Sequence, residues 1–158
     1  MSYLVVFTLA GEVFAFSLEY VKKAFKLTKL SPLPKSPPWI AGIWKGKEHF
    51  SPVINLKKLL RLSPEEGKEK YILLIEEEAF TYGVMVDELL EIIPIPQVVV
   101  KQSQKHLKFY SSQVVEGYIE RENGYSTICW LNVSKILSLG EKQWIKKFLE
   151  RSEESSGI

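Results

Sequence analysis

Short apolar runs alternate with short polar breaks along this chain, and the runs have the length of strands rather than helices. Tyr3–Leu9 and Glu12–Phe16 are rich in β-branched and aromatic residues and flank Ala10-Gly11, which predicts a hairpin. Val21–Leu27 predicts a third strand. Leu30–Pro38 holds four prolines and predicts an extended loop, since proline removes a backbone donor and restricts its neighbour. Trp39–Trp44 and Phe50–Leu56 predict two further strands, and Lys57–Leu62 a short helical turn. Ser63–Lys70, reading SPEEGKEK, predicts a linker.

The pattern then restarts. Tyr71–Ile75 and Phe80–Val86 predict strands joined by a solvated acidic turn at Glu76–Glu78. Leu89–Ile95 predicts another strand, stopped at Pro94–Pro96, and Gln97–Ser112 a polar loop. Val114–Glu120 and Tyr125–Leu131 predict a hairpin around Glu122-Asn123-Gly124. Ser138-Leu139-Gly140-Glu141 has capping-box spacing, and Trp144, Ile145, Phe148 and Leu149 then share one helical face. That predicts a helix over about 140–151 with Ser152–Ile158 frayed.

The restart behaves as an internal repeat. Tyr3-Leu4-Val5-Val6-Phe7 lies on Tyr71-Ile72-Leu73-Leu74-Ile75 at an offset of 68, and so do Leu18 on Val86 and Val21 on Leu89. Ile40-Ala41-Gly42-Ile43 lies on Val115-Glu116-Gly117-Tyr118 at an offset of 75, and Ile54–Leu60 on Leu131–Leu137 at 77. The growth from 68 to 77 places nine extra residues in the second copy, mostly within 94–113. Two five-strand copies imply an all-β protein of two small barrels. The expected division is one unit over 1–150, with barrel one at about 1–62, barrel two at about 70–137 and a C-terminal helix at about 140–151. A barrel of ~60 residues has a marginal core alone, so the two should pack on each other around a shared core.

Composition narrows the chemistry. The chain is 46% hydrophobic and 25% charged, with no apolar run near the ~20 residues of a membrane-spanning helix. No basic leader precedes the first apolar stretch, so no secretory signal is expected. One cysteine, Cys129, excludes an internal disulfide and any multi-cysteine metal site. His49 and His106 are the only histidines and Asp87 the only aspartate, and none stands in a triad or metal-ligand pattern. Gly46-Lys47 lacks the spacing of a phosphate loop. Cys129 reads as a strand residue and Asn132-Val133-Ser134 as a chance sequon. No catalytic residue, metal or cofactor is expected.

Charge adds a polarity. Residues 1–62 carry ten Lys/Arg against three Glu, and residues 63–158 eleven against sixteen Asp/Glu, so the front half is basic and the back half acidic. Lys22, Lys23, Lys26, Lys29, Lys35, Lys45 and Lys47 cluster with Phe25, Trp39 and Trp44, a combination that single-stranded nucleic-acid barrels also show.

With these motifs in order, the chain resembles the CheW family of chemotaxis adaptors from Tyr3 to Leu137. Pro37-Pro38-Trp39-Ile40-Ala41-Gly42 resembles the family's P-x-(F/Y/W)-(I/V)-x-G, and ten residues later Pro52-Val53-Ile54-Asn55-Leu56 resembles its P-V-(I/V)-D-L. Gly83-Val84-Met85-Val86-Asp87 resembles its G-x-x-V-D. Three departures stand out. Lys47 replaces an arginine, Lys23 a glutamate and Asn55 an aspartate, on surfaces the family uses for partners, which marks a divergent member.

The resemblance implies two SH3-like barrels and a non-enzymatic cytoplasmic scaffold, recruited to receptor arrays without membrane insertion. Its implied partners are the CheW-like domain of a histidine kinase and a chemoreceptor's cytoplasmic tip. By motif matching the partner-contact candidates are Val21, Lys23, Gly42 and Lys47. Leu18, Val21, Val86 and Leu89 are candidates for a groove between the barrels, or for plain core there. Head-to-tail self-association is expected, with Lys23 and Lys47 on the basic side and Glu76–Glu78 on the acidic side. The alternatives are the same fold in a non-chemotactic sensory pathway and a nucleic-acid-binding barrel.

Overall fold

Strand β1 (Tyr3–Leu9) and strand β2 (Glu12–Ser17) form the first hairpin, with Val5 opposite Phe16 and Phe7 opposite Phe14. Their turn places Ala10 at φ 52° and Gly11 at φ 79°, the left-handed pair that a two-residue hairpin requires. Alanine disfavours that conformation, and Asp87 compensates: its Oδ2 accepts a 2.9 Å hydrogen bond from the Ala10 amide. A 3-10 turn at Leu18–Tyr20 then leads into β3 (Val21–Lys26), followed by β4 (Ile40–Lys45), β5 (Phe50–Ile54) and the short helix α1 (Leu56–Leu59). The second copy supplies β6 (Tyr71–Glu77), β7 (Phe80–Val86), β8 (Glu88–Pro94), β9 (Val115–Glu120), β10 (Thr127–Leu131), α2 (Val133–Ile136) and finally α3 (Leu139–Ser156). The computed structural model describes residues 2–47, 49–63, 68–78, 80–100, 113–120 and 127–156, with side chains to Arg151. His106 and the Glu122–Gly124 turn lie outside the described residues.

The sheets do not follow the halves of the chain. One sheet, A, has the order β8-β1-β2-β10-β9, and the other, B, has β3-β6-β7-β5-β4. Each therefore joins the first hairpin of one copy to the last three strands of the other, and barrels at 1–62 and 70–137 are not what forms. The chain crosses between sheets twice, at Leu18–Tyr20 and at Asp87.

The repeat itself is exact in register. Val21 pairs with Ile75 as Leu89 pairs with Phe7, the same pair shifted by 68. Val53 pairs with Gly83 as Trp130 pairs with Ala15, in the parallel contact of each sheet. Ile40 pairs with Ile54 as Val115 pairs with Leu131, and both ladders bulge there. Asn55 caps α1 by accepting from the Lys58 amide at 3.2 Å, and Asn132 caps α2 by accepting from the Ser134 amide at 3.0 Å. Asn55 thus serves as a helix cap, a role asparagine fills as well as aspartate. Asn132 also donates from Nδ2 to Glu116 at 2.7 Å, which engages the sequon's amide.

Alternation on the strands sorts the apolar residues into two layers. Val5, Phe7, Leu9, Phe14 and Phe16 of sheet A meet Leu73, Ile75, Tyr82, Val84 and Val86 of sheet B in one shared core. The opposite faces line the barrel interiors; Leu4, Val6, Ala15, Ile119 and Ile128 fill that of sheet A. A bridge ties each barrel's final extended segment across it. Ser31 and Ile43 exchange bonds of 2.9 and 2.8 Å, and Val100 and Tyr118 bonds of 2.9 and 2.6 Å. The offset between those equivalents is 69 at Val100 and 75 at Tyr118, so most of the extra residues follow Val100.

Two further expectations change and one holds. Glu76 and Glu77 belong to β6 rather than to the turn, and Glu77 is buried. The last helix keeps its turns to Ser156 instead of fraying after Arg151. The capping box is formed: the Ser138 amide donates to Glu141 Oε1 at 2.6 Å, and the Glu141 amide to Ser138 Oγ at 3.1 Å.

The bridges explain the glycines beside them. A Cβ on Gly42 would lie 2.9 Å from Leu30 Cβ and 2.9 Å from the Ser31 oxygen, and one on Gly117 2.3 Å from Val99 Cγ1. Overpacking of this kind costs ~1–3 kcal/mol, so Gly42→Ala and Gly117→Ala should each lower stability by that amount in urea melts. Val99→Ala should recover much of the loss at Gly117, because the clash there is with a side chain. Leu30→Ala should recover little at Gly42, where the Ser31 carbonyl stays in place.

Candidate interaction site at the crossover

The sequence-predicted groove residues lie at or beside the two crossings, along the rim of the shared core. Leu18 belongs to the first crossing and Val86 precedes the second; Val21 opens β3 and Leu89 is the second residue of β8. Val86 is fully buried in the shared core, while Leu18, Val21 and Leu89 are half-buried against it. All four thus pack into or against the shared core, Val86 within it and the other three at its rim.

Asp87 fastens this rim. Its amide donates to the Thr8 oxygen at 3.0 Å, and its carboxylate holds the Ala10 turn. Lys57 Nζ lies 2.9 Å from Asp87 Oδ1 and 3.4 Å from Glu69 Oε1, with the lysine only 4% exposed. The Asp87 contact is close enough for an ion pair but lacks hydrogen-bond geometry at Oδ1. This aspartate of the G-x-x-V-D motif thus links both sheets and α1.

The partner-contact candidates separate into two kinds. Lys23 is exposed on β3, and Lys47 is exposed in the bend between β4 and β5. Both belong to sheet B. Gly42 is buried, and its contact with Leu30 and Ser31 accounts for the glycine. Val21 forms part of the rim.

Sequence reasoning missed an apolar strip on β8. Leu90 is 51% exposed, Ile92 59% and Tyr3 38%. Ile92 sits directly opposite Val5, and Tyr3 is two residues from Val5, so both face the side of the shared core. Leu90 occupies the bulge where the β1–β8 register shifts. The repeat carried the signal. The equivalents of Leu90 and Ile92 on β3 are Lys22 and Ala24, so one copy's edge strand is guarded by lysine and the other's is apolar.

Charge also divides by sheet rather than by half. The strands of sheet A carry Glu12, Glu88, Glu91, Glu116 and Glu120 and no Lys or Arg. Those of sheet B carry Lys22, Lys23, Lys26 and Lys45 with Glu76 and Glu77. Glu76–Glu78 therefore lie on the basic sheet, where Glu76 is 3.8 Å from Lys22, and they do not form an acidic face opposite the lysines. The acidic residues of sheet A lie mostly on its two outer strands, β8 and β9.

The aromatic residues of the basic region stack mostly on each other. Phe25 and Trp44 meet at 4.7 Å between ring centroids, and Trp39 meets Trp144 edge-on at 5.6 Å. Among the described residues no three His, Cys, Asp or Glu side chains converge in a way that could hold a metal ion, and no helix is long and apolar enough to cross a membrane.

The comparisons with known proteins agree with this architecture. Residues 3–141 match the CheW-like domain. The chain belongs to the CheW-like domain family. It is 24% identical over 145 residues to the chemotaxis protein CheW of Treponema pallidum, covering 89% of this chain and 84% of that one. It is 26% identical over 121 residues to the chemotaxis protein CheW of Bacillus subtilis, covering 76% and 78%. In fold it is similar to the crystal structure of the scaffolding protein TtCheW from Thermoanaerobacter tengcongensis, at a TM-score of 0.75 and 24% identity over 89% of this chain and 90% of that one. The chain is thus a chemotaxis-type scaffold of the CheW family, and its two five-stranded sheets are those of that fold.

Cys129 sits in β10 of this CheW-like fold, buried beside Tyr118. Burial, with the charge of Glu12, pushes its thiol up to about 12, and burial likewise raises Tyr118. Both acids are held neutral in the fold. The unfolded thiol ionises from about 9, so stability should be flat below that pH and fall as pH rises towards 12. Cys129→Ala should delay the onset of that fall in thermal melts at pH 8, 9.5 and 11. At pH 8 the native thiol should resist a thiol reagent that reacts at once in denaturant.

Proposed function

We propose that this CheW-like protein couples a chemoreceptor's cytoplasmic tip to a histidine autokinase, as a non-enzymatic scaffold in the cytoplasm at receptor arrays. The observation that carries this reading is the apolar strip Tyr3–Leu90–Ile92 beside the half-buried rim of Leu18, Val21 and Leu89. It offers a long apolar flank to a helical hairpin, and the family membership makes a receptor tip the natural one. The kinase's CheW-like domain, built on the same two sheets, meets a barrel of this protein through an interface of ~1,200–2,000 Å². No catalytic step belongs to this reading, and purified protein should turn over no nucleotide, ester or peptide.

The polarity of the sheets favours head-to-tail contact, acidic sheet A of one unit against basic sheet B of the next. The basic side is Lys23 and Lys47, as the sequence suggests, and the acidic side becomes Glu88 and Glu91. Exposed pairs are worth under ~1 kcal/mol each and are screened over ~10 Å at 0.1 M salt.

Calorimetric titration with the kinase's CheW-like domain tests the reading, with micromolar binding expected; no heat and no co-elution at high concentration would count against it. Ile92→Lys with Leu90→Lys should abolish receptor-tip capture and leave kinase-domain binding within about threefold. Sedimentation at low and high salt should show association weakening as salt rises. Lys23→Glu with Lys47→Glu should weaken it about tenfold more, with little change in melting temperature. Insensitivity to both would remove the electrostatic contact and leave the scaffold reading intact.

A further inference from the structure

Helix α3 is fixed to sheet B by a group of residues that break the repeat. Lys142 Nζ donates to Glu77 Oε1 at 2.8 Å and to the Ser134 oxygen at 2.5 Å. Trp144 packs edge-on against Trp39 and stacks on Phe148, and Lys146 stands 5.5 Å over the Phe80 ring. In the first copy the equivalent of Glu77 is Leu9, that of Phe80 is Glu12, and that of Trp39 is Val114. The last equivalence is fixed by matching bonds, Asn55 amide to Trp39 oxygen at 2.8 Å and Asn132 amide to Val114 oxygen at 2.7 Å. A buried carboxylate in place of a core leucine, a ring in place of a carboxylate and an indole in place of a valine all lie under one helix.

We propose that Trp39, Glu77 and Phe80 form a helix-docking seat, that α3 is its removable occupant within one chain, and that α3 of a second copy can take the same seat. Three observations support removal. Among the described side chains of α3, Ile145 is the only fully buried one; Trp144 and Leu149 pack partly buried against the core, and the attachment also includes the Lys142–Glu77 ion pair and the Lys146–Phe80 contact. The floor of the seat is only half satisfied, because Glu77 Oε2 and the Tyr82 hydroxyl are buried without a hydrogen-bond partner. Both would gain water when the helix leaves, which offsets part of the lost contact. And α3 is joined to α2 by Leu137 and Ser138 alone, a short hinge of the kind that permits exchange of a terminal element. The family match ends at residue 141, so the contacts of Lys142, Trp144 and Lys146 lie beyond the shared CheW-like unit.

A charge exchange tests this with full-length chains. Glu77→Lys spoils the seat and leaves the helix intact; Lys142→Glu spoils the helix and leaves the seat intact. Neither variant alone should dimerise more than wild type. Their equimolar mixture should give a mixed dimer by native mass spectrometry at micromolar concentration, at least tenfold above either alone. The chain carrying both changes restores an ion pair within itself and should match wild type, which also controls for folding. Absence of the mixed dimer while the double variant folds would overturn the proposal. If Glu77→Lys does not fold, hydrogen exchange on the wild type decides. Amides of α3 should exchange at least a hundredfold faster than those of β6 and β7, and equal rates would show the helix to be integral to the core.

Discussion

Everything in this fold depends on the exchange of strands between its two copies. A hairpin of two strands cannot bury both faces, and β1–β2 gains its neighbours only from β8 and β10, far along the chain. The hydrogen bond from Trp130 Nε1 to Ser17 Oγ, at 3.1 Å, spans 113 residues of sequence. Because each sheet needs strands from both copies, neither copy is a separable domain. The shared core of Phe7, Phe14, Phe16, Ile75 and Tyr82 is accordingly built from contacts between residues far apart in sequence.

The repeat is closely symmetric where side chains are buried and asymmetric where they meet solvent or an extra element. Core positions keep apolar residues in both copies: Val5 and Leu73, Phe7 and Ile75, Phe16 and Val84. The crossings differ, since Asp87 clasps the Ala10 turn and Lys57 whereas its equivalent Glu19 is exposed. The edge strands differ again, with Lys22 and Ala24 on β3 against Leu90 and Ile92 on β8. Packing constrains the buried positions equally in both copies, so specific recognition falls to the places where the copies have diverged.

That division also explains what was legible in the sequence. Strand positions follow from alternation, and the repeat from apolar anchors whose order survives in the observed register. The barrel boundaries were not legible, because a period of two tells which face a residue takes but not which strand lies beside it. The same limit hid the polarity of the sheets: counting charge by halves mixes strands that the fold separates. Glu77 read as a turn residue because its partner, Lys142, lies 65 residues away on a helix. Gly42 was legible as a motif position, but its reason is the Leu30–Ser31 segment crossing above it. Lys23 and Lys47 stand where expected on the surface; Leu90 and Ile92 needed the comparison of one copy with the other.

The contrast between the two edge strands has a consequence for assembly. An edge strand carrying lysines resists pairing with its own kind, and β3 has three of them. Strand β8 has no such guard along Leu90–Ile92 and bears carboxylates at Glu88 and Glu91. Two copies meeting β3 to β3 would bring lysines together. Two meeting β8 to β8 would bring glutamates together while leaving the apolar strip only partly covered. A scaffold with one guarded edge and one apolar, acidic edge has a direction built into it. That direction comes from the divergence of the two copies, which leaves β8 apolar and acidic where its equivalent β3 bears lysines.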